Sequence, residues 1–163
     1  MDRQLISKLT KAVLCLQSDM ERNIKHLNGG GCGVFALEVC KELKKYGIDS
    51  RLAILDGNIE DFNYYKKEVV NDILNNNYVD TWDARNTSFA HCCLILDDGL
   101  NFDGEQFDAI QDWQNGGYAL VGEYLPMEMK IALKYGGWNE LYDRRQNKLV
   151  KKLIKQNFKK YLA

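Results

Sequence analysis

The spacing of apolar residues changes twice along this chain, and that change limits the folds open to it. Leu5, Leu9, Ala12, Leu16, Met20 and Ile24 recur at three- and four-residue steps, so 3–27 reads as one helix with a single apolar stripe, stopped by "NGGG". Cys32, Phe35, Ala36, Val39 and Leu43 repeat the pattern and predict a second helix over 33–46, ended by Gly47. The period then shortens. "SRLAILDG" (50–57) reads as a buried strand, "FAHCCLILDDGLNFDGEQF" (89–107) as a hairpin and "GGYALVGEYL" (116–125) as a further strand. Residues 60–77 read as a weak helix ended by "NNN", and Pro126 suits the start of a helix through 135. A last helix over 139–162 carries Val150, Leu153, Ile154, Phe158 and Tyr161 on one side. Helices first, then mostly strands, then helices predicts an α+β fold with an antiparallel sheet, not a doubly wound one. The 163 residues suit one domain, with its core in 1–136 and the helix of 139–162 appended.

Charge is unevenly placed. The stretch 144–163 holds eight Lys or Arg and no acid, which leaves 14 bases against 23 acids in the rest. The lysines recur at helical spacing and form either the solvated face of an amphipathic helix or a contact for phosphates, anionic lipid or an acidic protein. A net charge of -1 weighs against nucleic acid as the partner of the whole molecule. No run of about 18 apolar residues predicts a membrane span, and the first residues lack the pattern of a secretory signal. The cytosol is the default location, and five cysteines without framework spacing predict free thiols.

One stretch is costly without a reason. In "HLNGGGCGVFA" (26–36) three glycines precede Cys32 and lead straight into a helix, and each glycine loses much backbone entropy on folding. A cysteine at a helix N-terminus meets free N–H groups and the positive end of the dipole, which favour a thiolate. The glycines, Gly31 nearest, let a substrate backbone approach, and the Cys32 N–H is placed to donate to an oxyanion. The alternative is a small apolar residue opening the buried face of a helix after a tight turn. Cys15, Cys40, Cys92 and Cys93 are read as core.

A thiolate nucleophile needs a base. The two histidines are His26 and His91, and His91 opens the hairpin. Across the turn stands Asp103, placed to orient an imidazole. Hairpin register decides whether it can. A two-residue turn at Asp98-Gly99 puts Asp103 on the face opposite His91. A three-residue loop, 97–99, with Gly99 left-handed as a bulge, sets Cys93 opposite Asp103 and makes His91 and Asp103 diagonal neighbours on one face.

"GGGCGVFALEVCKELKKYG" followed by "AHCCLILDDGLNFDGEQF" resembles the Cys-His-Asp arrangement of papain-like and transglutaminase-like cysteine enzymes, most of all small papain-fold proteins of bacteriophages and bacteria. The likeness spans 25–108. It implies a papain-like fold, N-terminal helices on a small antiparallel sheet, and a thiol site acting on an amide by peptide hydrolysis, isopeptide cleavage, side-chain deamidation or acyl transfer. Cys32 is then the nucleophile, His91 the general base and acid, and Asp103 the orienting group, with a protein or peptide substrate and no cofactor. The Gln that such enzymes carry a few residues before the Cys for the oxyanion hole is missing. Gln17, fifteen residues upstream, and Asn28 are the candidates to replace it. Gly33 stands where an aromatic residue often follows.

Three other readings compete. A non-catalytic binding protein of the same fold, such as a phage-encoded inhibitor of a host protein, uses the same residues as scaffold. A metal site drawn from His26, Cys32, His91, Cys92 and Cys93 is disfavoured because adjacent strand residues face opposite ways, and no zinc motif is present. Phosphate binding at the glycines lacks both the P-loop Lys and a preceding strand.

Overall fold

The computed structural model describes residues 1–24, 27, 31–57, 90–127 and 144–163. Helix α1 spans Arg3–Asn23, α2 Cys32–Lys44, α3 Ala109–Asn115 and α4 Arg144–Leu162. Strands β1 (Ser50–Gly57), β2 (His91–Leu96), β3 (Asn101–Phe102) and β4 (Tyr118–Tyr124) form one sheet in the order β3-β2-β1-β4. Every pairing is antiparallel. The chain is therefore α+β with a small four-stranded antiparallel sheet, as the order of periodicities predicts.

Asp2 caps α1, its carboxylate accepting from the Leu5 N–H at 2.8 Å. The helix stops at Asn23, earlier than the apolar spacing predicts, because Ile24 turns extended while its N–H holds the Met20 carbonyl. The departure lets Ile24 and Leu27 both bury. Gly47, at φ +72°, ends α2 as expected. Residues 60–77 and most of the helix predicted after Pro126 lie outside the described residues; Pro126 and Met127 themselves are helical.

The sheet divides two cores. Leu52, Ile54, Cys92, Leu94 and Phe102 face a large core completed by α1, α2 and α4. Leu55 and Cys93 face a small one closed by Ala109, Ile110 and Trp113. Adjacent Cys92 and Cys93 thus serve opposite faces, as strand alternation requires. Helix α4 docks through buried Val150, Ile154 and Phe158 and leaves its lysines outside. Asn157 donates to Asp19 at 2.9 Å, and Lys151 pairs with Glu38 at 3.5 Å. No helix among the described residues is long and apolar enough to cross a membrane.

Register in the β2–β3 hairpin follows the longer loop. Leu96 donates to the Leu100 carbonyl at 2.9 Å, and Gly99 donates to Leu96 at 2.9 Å. Gly99 sits at φ +86°, left-handed, as a three-residue loop needs. Leu94 opposes Phe102, so one step further Cys93 opposes Asp103.

A Cβ at Gly99 would meet nothing within 4 Å, so a side chain there costs backbone strain alone. Gly99→Val is expected to lower stability by about 1–2 kcal/mol in urea unfolding. A variant as stable as the parent would remove the left-handed glycine as the determinant of this register.

Candidate active site

Cys32 is the first residue of α2. Gly31 occupies the N-cap and brings no side chain to satisfy the first-turn N–H groups. Those donors and the dipole converge where the sulfur leaves the helix. Phe35, Ala36 and Val39 anchor the helix in the large core. The Cys32 residue is 2% exposed.

His91 begins β2, opposite Leu55 of β1, and is fully buried. Its Nε2 meets Asp103 Oδ2 at 2.8 Å. The other carboxylate oxygen of Asp103, Oδ1, accepts from the N–H groups of Glu105 and Gln106 at 2.8 and 2.9 Å. The carboxylate is thereby held from two sides in one orientation. Trp113 of α3 stacks on the imidazole, with ring centroids 4.1 Å apart and planes 7° from parallel. Tyr118 meets the indole edge-on at 4.7 Å.

With Nε2 committed to Asp103, Nδ1 is the nitrogen left for chemistry. Among the described residues it is buried without a hydrogen-bond partner, although the Cys32 and Cys93 thiols stand near enough to act on the ring's charge. The three elements therefore bring sulfur, imidazole and carboxylate together, and the sulfur–nitrogen bond itself is unmade in this state. Bonds of this kind in unliganded sites commonly tighten only when substrate arrives.

Burial opposes charge on His91, but the hydrogen bond it donates to Asp103, aided by the two thiols, outweighs it and raises the ring's pKa well above the usual imidazole range. Burial likewise opposes charge on Asp103. The His91 bond and the Glu105 and Gln106 N–H groups win there, and the carboxyl is lowered. Both shifts favour the imidazolium–carboxylate form of the pair. Burial raises the thiols of Cys92 and Cys93 and lifts Cys40 to about 11, which keeps all three protonated and inert.

The candidate helpers fare differently. Gln17, offered for the oxyanion, instead gives its amide to the backbone carbonyl of Asp103 at 3.0 Å. It is a brace for the Asp103 turn, because it is 7% exposed and has one buried carbonyl within reach. The N–H of Gly31 donates to the Leu27 carbonyl at 2.8 Å. Asn28 and His26 lie outside the described residues. Among the described residues no group of three His, Cys, Asp or Glu is arranged to hold a metal ion.

Two contributors escape the periodicity. Helix α3, unassigned between the hairpin and the last strand, delivers Trp113 to the ring. Ala109, Ile110 and Trp113 before "NGG" form its short apolar face, which is the signal that would have found it.

Comparison of the chain with family models, with curated proteins and with solved structures finds no match in any of the three.

The linked pKa shifts set a pH window. Asp103, lowered in the fold, stabilises above its ordinary value near 3.8 and loses that contribution as pH falls through its folded value. His91, raised, contributes in full below about 6.5 and loses that contribution progressively as pH rises from there toward its elevated folded value. Folding stability is therefore expected to be greatest between about pH 4 and 6.5, to decline gradually as pH rises above that range and to drop on acidification below about 4. Asp103→Ala is expected to cost about 3–5 kcal/mol at pH 7, since it strands a buried imidazolium. Nitrogen NMR of His91 should show a doubly protonated ring at pH 8; a neutral ring there would refute the ion pair.

Proposed function

We propose that this chain is a thiol enzyme acting on an amide or isopeptide bond, with Cys32 as nucleophile, His91 as acid and base, and Asp103 as the group that orients and charges the imidazole. The observation that carries this reading is His91, whose Nε2 is held by Asp103 while Nδ1 stays unspent beside a cysteine at a helix N-terminus. The resemblance to papain-like enzymes of phages and bacteria belongs to the same proposal and supplies the reaction class.

The chemistry balances with these groups alone. The Cys32 thiolate attacks the carbonyl carbon, and the carbonyl electrons move onto oxygen. The first-turn N–H groups of α2 receive that oxyanion. Imidazolium Nδ1–H protonates the departing nitrogen, the C–N bond breaks and a thioester remains. Water then attacks the thioester, giving its proton to the now neutral His91; the C–S bond breaks, the acid leaves, and the Cys32 thiolate and His91 imidazolium are regenerated. An amine attacking in place of water gives transfer, and a primary side-chain amide gives deamidation. Asp103 keeps the ring in one tautomer and stabilises its charge in both halves. Trp113 fixes the ring plane.

A second reading has its own support. Cys32 is 2% exposed and His91 fully buried, which suits a binding protein that keeps the triad as a structural network. In that case Cys32→Ala retains the biological effect.

Alkylation separates the two. Iodoacetamide is expected to modify Cys32 at pH 6–7 faster than a model thiol, with mass spectrometry locating the adduct, and His91→Ala is expected to slow it at least about tenfold. A rate no faster than the model thiol, in a folded protein, ends the enzyme reading and favours the binder.

A further inference from the structure

A groove of about 820 Å³ runs along the outer side of α1 and reaches the turn after Asp103. Its size falls within the roughly 300–1,000 Å³ of ligand clefts. Met20, Ile24 and Leu27 form its buried inner wall, and Leu14, 52% exposed, sits at its rim. From Leu14 to Ile24 the helix advances about 15 Å, the length of four or five residues of extended chain at about 3.3 Å each. Two carboxylates flank this apolar track, Glu21 on α1 and Glu105 on the turn. Both are exposed and neither has an ion-pair partner among the described residues. Two exposed carboxylates beside an apolar wall, without ion-pair partners among the described residues, suit a ligand that is greasy and cationic together.

The groove also touches the machinery. Gln17, on its wall, braces the Asp103 carbonyl. The Glu105 N–H binds the Asp103 carboxylate. Leu27 closes the far end, and its carbonyl holds the Gly31 N–H, one residue before Cys32. Gly104 packs so closely on Leu27 that an added Cβ would stand 2.0 Å from Leu27 Cδ2, so these two walls are in direct contact.

We infer that this groove binds an extended polypeptide segment carrying apolar side chains and Lys or Arg, as an accessory binding site for the substrate of the proposed thiol site. The inference rests on that proposal for the word substrate, and on the groove itself for the peptide chemistry.

The test uses fluorescence anisotropy with the full chain and two labelled peptides, one of alternating Leu and Lys and its Leu–Glu twin. The Lys peptide is expected to bind the parent and Cys32→Ala alike, with affinity falling as salt rises. Glu21→Lys with Glu105→Lys is expected to weaken it at least about tenfold and to gain affinity for the Glu twin, which a misfolded variant would not do. Failure of the Lys peptide to bind, equal binding of both peptides to the parent, or no change in the double variant overturns the groove. If the Lys peptide binds as described while Cys32 shows no enhanced alkylation, the enzyme reading falls and the peptide groove stands. A reactive Cys32 with no peptide binding gives the reverse.

Discussion

An imidazolium and a carboxylate, both withdrawn from water, exist together only as a matched pair. The 2.8 Å contact between His91 and Asp103 is that match, and much of the surrounding structure serves it. The hairpin sets the two residues on one face, Gln17 reaches from α1 to hold the Asp103 carbonyl, and two backbone N–H groups fill the second carboxylate oxygen. Such a pair is costly to desolvate, and apolar residues of equal volume would often serve stability as well or better. Its presence in a largely apolar sheet is a reason to look for chemistry at that place.

What surrounds the pair assigns the ring's two nitrogens to different tasks. One faces the carboxylate and one faces the mouth of α2 without a partner. An indole against the ring face prevents it from rotating to exchange them. Orientation is thus bought by packing from the small core, while the thiol arrives from the large one. The sheet is the partition across which the two halves meet.

The sequence carried the fold class because periodicity is a local property, and β1 emerges over the residues its apolar run marks, Ser50–Gly57. The hairpin was legible down to a choice between two loops, and Gly99 in a left-handed conformation decided it. Less legible were the contacts whose partners lie far apart. Gln17 and Asp103 are 86 positions apart, and nothing in either neighbourhood marks the other. Trp113 offered an ordinary apolar pattern too short to read as a helix. The early end of α1 was hidden for a related reason: Ile24 and Leu27 continue the helical spacing, yet both bury better with the chain turned away.

The seating of α4 on α1 bears on how the protein comes off the ribosome. Cys15 meets the Tyr161 hydroxyl at 3.1 Å across 146 positions, and Asn157 meets Asp19 across 138. During synthesis the greasy side of the first helix has no counterpart until residues 150–161 have emerged. At about 5–20 residues per second that wait lasts roughly 7–26 seconds, a window in which the apolar face of the first helix is open to aggregation.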